Sequence, residues 1–351
     1  MIKRKSDVRI PSLDGFRAIA IAMVMICHFF PRTREVSHLN FLIERSSFGV
    51  EVFFVVSGYL ITYLLLNEEL MHKSISLYRF YMRRVLRIVP PLYAYLLTLI
   101  VLSSFTQVVT PLQDILYSAV FVRNYLGESA QTAHCWSLSV EEHYYLLWPA
   151  ILVVLRTSAA RLIFCFFVIV ATPIWSHFVY EWAGGAEFVN NWRTDLRMMG
   201  IAMGSGLACL RIIPTGERVL SSRFFVSSPT LVVSLTVVVL SVYTNLLSAP
   251  IIRALNSMIA LTGVTMVLNA AIRSESKWWV RLLDATPISY FGKMSYGVYL
   301  WQQLWMPAVD DFSISILDRL CRVAGALLCG LVSFYVVDAH FAPLRSIFRR
   351  D

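Results

Sequence analysis

The chain has 351 residues, of which 57% are hydrophobic and 15% charged, and its mean hydropathy of +0.64 lies far on the apolar side of an ordinary soluble domain. This excludes a water-soluble globular protein. The formal charge of +9 does not indicate nucleic acid either, because the basic residues are scattered between hydrophobic stretches and form no single stripe.

Apolar stretches of about 20 residues, the length a helix needs to cross some 30 Å of hydrocarbon, recur along the whole sequence. Ten spans are predicted, at 13–31, 46–66, 86–105, 136–155, 162–179, 195–212, 224–246, 250–271, 286–306 and 318–338. The expected fold class is an all-α integral membrane bundle, one domain over 1–351 with no appended soluble part. The start "MIKRKSDVRIPSLDGF" is basic like the n-region of a signal peptide. No small-x-small cleavage site follows it, and Arg17 and His28 interrupt the apolar run, so the first span is read as retained.

The loops set the orientation. "KRKSDVR", "HKSISLYRFYMRR", "RTSAAR", "RIIPTGERVLSSR", "RSESKWWVR" and "PLRSIFRR" carry most of the Lys and Arg and fall on one side of a ten-span arrangement. That side, with both termini, is expected to be cytoplasmic. The other side holds Arg32, Arg34, Arg45, Arg123 and Arg253. Segment 106–135 is too polar in places to span and is expected to lie partly as an interfacial helix. Cys27, Cys135, Cys165, Cys209, Cys321 and Cys329 show no metal-like spacing and are read as core residues, so no metal is expected.

Four constellations carry chemistry, the first being "RAIAIAMVMICH", from Arg17 to His28. Eleven residues return to within about 20° of the starting direction and rise about 16 Å, so both groups share one helix face. Arg17 can snorkel to the near interface. His28 cannot, and an intramembrane ionisable group of that kind faces a cavity with a function. In "GVEVFFVVSGYLIT", the Ser57-Gly58 pair reads first as a close helix–helix contact.

In "FYMRRVLRIVPPLYAY", Arg83, Arg84 and Arg87 open the third span, with Arg84 and Arg87 projecting together at i and i+3. Cations at a helix N-terminus oppose the macrodipole, so beyond positive-inside anchoring they suit a phosphate. In "HCWSLSVEEHYYLLWP", Ser137 or Ser139 is placed to cap a helix whose first turn holds Glu141 and Glu142. A carboxylate from either that reached His28 would fix its tautomer. No GxSxG, HExxH or Walker loop is present.

Together these residues resemble the membrane acyltransferase family 3, typified by bacterial O-antigen and exopolysaccharide O-acetyltransferases. The resemblance covers essentially the whole chain and rests on "LDGFRAIAIAMVMICH", "GVEVFFVVSGYLIT", "RRVLRIVPPLY", "HCWSLSVEEHYYLLWP" and "FGKMSYGVYLWQQ", in that order. It implies about ten spans in a bacterial inner membrane, a cytoplasmic acyl-CoA donor, usually acetyl-CoA, and a carbohydrate acceptor on the far face. Arg17 and His28 match the essential pair, and Arg84 and Arg87 match the Arg-x-x-Arg attributed to donor handling. Ser57, Gly58, Glu141 and Glu142 match other recurrent polar positions. The chain departs from the family at His143-Tyr144, where relatives usually read Gln-Phe, and at Gln302, where they read His. The lack of an appended esterase-like domain implies a stand-alone transferase.

On this reading Arg84, Arg87 and Arg83 hold the donor phosphates, with Arg17, Ser57 and Gly58 along the donor path. Neutral His28 acts as general base on a sugar hydroxyl, and Glu141 or Glu142 orients it. A covalent acetyl-enzyme on His28 or Ser57 is the alternative route. Asn124, Trp136 and Ser139 are candidate acceptor-binding residues, and Tyr125, Trp182, Phe188 and Trp192 are aromatics that read either as sugar-stacking rings or, at least as often, as a membrane-interface belt. Two other classes remain: a transporter or flippase whose Arg17, His28 and Glu141/Glu142 line a substrate path, and a structural subunit whose polar residues only assemble helices.

Overall fold

The computed structural model describes residues 12–30, 46–106, 109–182, 192–244, 250–273, 277–307 and 314–349. Ten long helices run through them: α1 (Leu13–Phe29), α2 (Gly49–His72), α3 (Leu77–Phe105), α4 (Cys135–Val154), α5 (Ser158–Trp182), α6 (Met199–Ile212), α7 (Ser228–Thr244), α8 (Pro250–Arg273), α9 (Thr286–Trp305) and α10 (Ile316–Ile347). Each stands where a span is expected. Helix is the economical answer to an apolar run, because every backbone polar group is then satisfied within its own segment.

Five of these helices (α2, α3, α5, α8 and α10) are long and apolar enough to cross a membrane. The bent pair of α6 and Pro214–Leu220, which turns by 110°, makes a sixth if it counts as one broken span. The others are shortened or made polar by particular residues: α1 carries Asp14 and Arg17, α4 its two glutamates, and α9 Lys293, Gln302 and Gln303. Phe166, Phe178, Leu97 and Val101 are all more than half exposed on the outside of the bundle, a surface that belongs in lipid.

α3 begins well before the apolar run, at Leu77, because Ser76 caps it by accepting from the Arg79 backbone N–H at 3.4 Å. Its first turns therefore project past the apolar stretch and carry Arg79 and Arg83. Pro90 and Pro91 lie within the same helix. They remove the N–H groups that the carbonyls of Leu86 and Arg87 would use.

The tightest seam joins α2 to α6. A Cβ built on Gly58 would lie 2.0 Å from the Ile201 carbonyl oxygen, and one on Gly204 would lie 2.0 Å from that of Val55, so only glycine lets the two backbones meet. A buried polar network rivets α4 to this seam. Trp148 Nε1 donates to Thr62 Oγ1 at 2.7 Å, Thr62 to Ser205 Oγ at 2.8 Å, and Tyr144 to the same Ser205 Oγ at 2.7 Å. α1 packs between α2 and α9, α10 backs α9, and the α7–α8 hairpin closes against α5 and α6.

The helices alternate in direction. One end gathers the starts of α1, α3, α5, α7 and α9 and the ends of α2, α4, α6, α8 and α10, joined by polar links. Arg161 grips Glu69 through two nitrogens at 2.6 and 2.8 Å, Glu68 accepts from the Ser76 N–H at 2.9 Å, and Glu217 pairs with Arg211 and Arg273. The bias of basic residues toward this end holds among the described residues. Of those assigned to the other side, Arg32, Arg34 and Arg45 lie outside the described residues.

Segment 106–135 does hold a short helix, Leu112–Ala119, with Leu112, Leu116 and Val120 exposed along one side. The rest is organised by Arg123, which is fully buried and donates to the carbonyls of Leu126, Gly127 and Ser129 and to Thr132 Oγ1. All six cysteines are free thiols; Cys321 is exposed and the rest are buried or half-buried.

Candidate active site

Arg17 and His28 leave α1 on one face, as helix geometry requires, and open into two different cavities. His28 lines a cavity of about 730 Å³ at the end opposite the arginine-rich one, and Arg17 lines a smaller one of about 60 Å³. Val50 and Tyr299 border both. Tyr299 is held in that partition by Ser137 Oγ at 2.6 Å and the His134 carbonyl at 2.9 Å.

The inner site is a cluster of charge. Arg84 lies with its guanidinium carbon 3.7 Å from the centroid of the Tyr145 ring, within electrostatic reach of Glu141 and Glu142. Arg17 reaches Glu141 and Arg87 in the same way. Glu141 accepts from Ser57 Oγ at 3.1 Å and from the Tyr145 hydroxyl at 3.2 Å. Beyond Arg87 stand Asp338 and Arg345 of α10, brought there by the π-helical stretch Ser333–Asp338 that interrupts that helix. Glu142 Oε1 and Arg84 Nε are buried and make no hydrogen bond. Three arginines face two glutamates, so the cluster has cationic capacity to spare for an anion.

The outer site is built around His28. Its Nδ1 is buried without a hydrogen-bond partner, and the side chain facing it is Gln302 of α9, fully buried itself with both amide atoms unpaired. His134 lines the same cavity, as do Glu51, Trp136, Trp192 and Arg197. Arg197 Nη1 meets Glu51 Oε1 at 3.0 Å, the Arg197 guanidinium carbon lies 5.5 Å from the Trp136 ring centroid, and Trp136 stacks on Trp192 at 6.1 Å with planes 10° apart. Among the described residues no group of three or more His, Cys, Asp or Glu is arranged to hold a metal ion.

Several expectations are corrected. Neither Glu141 nor Glu142 orients His28: α4 begins at Cys135, with no side-chain cap. That puts both acids roughly two turns inside the helix, facing the arginines instead of the first-turn dipole. Ser137 and Ser139 do not cap it either. Ser139 is fully buried, donates to its own Cys135 carbonyl at 3.0 Å and borders neither cavity.

Arg83 is separated from the Arg84–Glu141 cluster, since neighbours on a helix diverge by about 100°. It donates to the Phe348 carbonyl at 2.6 Å and faces Glu68 at 3.6 Å, clasping the C-terminal segment. Gly58 is the packing glycine described above; the α6 backbone fills the space a ligand would need. Asn124 is fully buried and donates to Thr194 Oγ1 at 2.9 Å, bracing the turn that also holds His143 Nδ1 at 2.7 Å. Tyr125 leans on His143, Trp182 is 88% exposed at the end of α5, and neither borders the cavity. Phe188 lies outside the described residues.

What the sequence reading did not single out is Glu51, Arg197 and Tyr299. A lone acid in the apolar "GVEVFF" was a usable signal. Its partner was not, because 146 residues separate the two.

The model of a family described as "Acyltransferase domain" matches residues 10–339. Among curated proteins, the chain is 25% identical over 97% of its length to the peptidoglycan O-acetyltransferase OatA of Listeria monocytogenes, covering 57% of that protein. It is 26% identical over 89% of its length to the O-acetyltransferase OatA of Staphylococcus aureus, covering 53% of it. The chain thus spans about half the length of the curated relatives it matches. No solved structure matches.

Proposed function

Because the chain belongs to this acyltransferase family, we propose that it is an integral-membrane O-acetyltransferase that moves an acetyl group from cytoplasmic acetyl-CoA to a glycan hydroxyl on the other side of the membrane. The observation that carries the reading is the pair of cavities meeting at Val50 and Tyr299, with spare arginine charge on one side and His28 on the other. In this reading the ten helices are ten spans with both termini cytoplasmic, in a bacterial inner membrane, which agrees with the basic residues gathered at the end of the bundle that holds the arginine cluster. The similarity to the peptidoglycan O-acetyltransferase of Listeria favours peptidoglycan over O-antigen as acceptor.

Arg84 and Arg87 hold the donor phosphates by charge-assisted hydrogen bonds, while Glu141, fixed by Ser57 and Tyr145, keeps Arg84 in place. The pantetheine arm runs past Arg17 to the partition at Tyr299. At His28 the imidazole takes the proton of the acceptor hydroxyl, the oxygen attacks the thioester carbonyl, and the C–S bond breaks as the C–O bond forms. The proton then passes from His28 to the departing thiolate, so no net proton is consumed in the site. A positioned base of this kind contributes about 10² to 10⁴ in rate. Direct transfer is favoured over an acyl-enzyme on Ser57, since Ser57 donates to Glu141 at 3.1 Å within the cationic cluster, and not to a base.

Replacing His28 with alanine is expected to abolish acetyl-CoA-dependent release of free CoA in proteoliposomes supplied with glycan, with the protein still folded in the membrane. Substantial residual release would sink the assignment. Coupled transport of glycan or ions without CoA release would favour the transporter.

A further inference from the structure

We propose that Glu51, Arg197 and Trp136 form the acceptor subsite of the outer cavity, and that it takes an uncharged hexopyranose ring. The inference rests on the transferase reading and adds what the acceptor touches. Trp136 is not a membrane-belt tryptophan. Trp182, at the lipid-facing end of α5, is 88% exposed, whereas Trp136 lines the interior cavity with its ring backed by Trp192 at 6.1 Å. The stacked indoles form a rigid aromatic wall of the cavity, and with the Arg197 guanidinium carbon 5.5 Å from the Trp136 ring centroid that wall joins apolar ring surface of the kind that the C–H side of a pyranose covers to a hydrogen-bond donor.

The Glu51–Arg197 pair supplies the polar half. It joins α2 to the short helix Thr194–Arg197, yet it is not sealed in the core: the two side chains keep 17% and 30% of their surface, and both border the cavity. Removing an ion pair from water for stability alone is poor economy, since apolar residues of similar volume do as well or better. Facing a cavity, the same pair offers carboxylate oxygens that accept from sugar hydroxyls and guanidinium N–H groups that donate to them, in fixed orientation. The two charges cancel, so the recognition is of hydroxyls and not of a charge. His28 lines the same cavity, so a ring bound on Trp136 and Glu51 presents a hydroxyl toward the imidazole.

The test is direct binding of fully N-acetylated chitotetraose, an uncharged N-acetylhexosamine chain, to the detergent-solubilised full chain by calorimetry, with acetyl-CoA binding measured alongside. Trp136→Ala and Glu51→Gln are each expected to weaken chitotetraose binding about tenfold or more, as loss of a central aromatic or charged anchor does. Trp136→Phe keeps most of it, and Trp182→Ala leaves it unchanged. Acetyl-CoA affinity stays at the wild-type value throughout, which shows that the variants are folded.

Unweakened chitotetraose binding in both Trp136→Ala and Glu51→Gln overturns the subsite, as does a wild-type protein that does not bind the chain. Arg253 also borders the cavity, so an oligogalacturonate of equal length is run in parallel. If the anionic chain binds more tightly, the uncharged-ring assignment is wrong. Loss of chitotetraose binding in the variants, with no CoA release by wild type, supports the subsite and overturns the transferase reading instead.

Discussion

Arg84 is asked to do two things, and exchanging it separates them. It balances two buried carboxylates, Glu141 and Glu142, and in the proposed reaction it holds donor phosphate. Arg84→Gln leaves Arg17 and Arg87 facing the same two glutamates, which removes the surplus cation. Stripping one partner from a buried charged group costs about 3–5 kcal/mol of stability. A lost charge-assisted hydrogen bond to phosphate costs about 1.5–3 kcal/mol, which corresponds to roughly 10- to 150-fold in donor Kd. The double variant Arg84→Gln/Glu142→Gln removes the carboxylate left without its partner and returns the cluster to the wild-type excess of one cation. It is expected to regain most of the melting temperature in detergent while its Kd for CoA stays weakened. If the double variant recovers both, Arg84 only neutralises Glu142 and its donor role is refuted.

Arg83→Ala, by contrast, should leave CoA affinity unchanged and instead expose the C-terminal segment to protease, since Arg83 clasps Phe348 at 2.6 Å; a large loss of CoA binding would return it to the donor site. Gly204→Val should abolish accumulation of folded protein, because a Cβ there lies 2.0 Å from the Val55 carbonyl and overpacking costs about 1–3 kcal/mol even where side chains can yield. Gly206→Ala on the same helix should be neutral or stabilising by up to about 1 kcal/mol, since its Cβ meets only Cys165 Cβ at 3.6 Å. The yield of folded protein extracted in detergent decides the matter, with thermal unfolding for Gly206→Ala, and equal yields of the two variants would contradict the described α2–α6 seam.

The positions of all ten long helices were legible in the chain because a hydrocarbon environment leaves an apolar run little choice but helix. So were the shared face of Arg17 and His28 and the common projection of Arg84 and Arg87, since these follow from helix periodicity within one segment. The Ser57-Gly58 pair shows how far such local reading goes: glycine signalled a close contact, and the contact is there, but the sequence does not say that Ile201 is what Gly58 touches.

Other readings failed at element boundaries or across segments. Glu141 and Glu142 looked like first-turn acids, and moving the start of α4 to Cys135 turned them into partners of Arg84. Arg83 looked like a third phosphate ligand until the fold brought Phe348 to it. The sequence by itself determined the class of molecule, the helices, the residues with chemistry to perform and the family they resemble, because composition, period and motif order act within a segment. Only the tertiary structure decided which of those residues meet. Glu51 finds Arg197, Glu141 finds Ser57, and His28 faces Gln302 in place of a carboxylate, because partners far apart in the chain are chosen by how helices pack, and no local pattern records that choice.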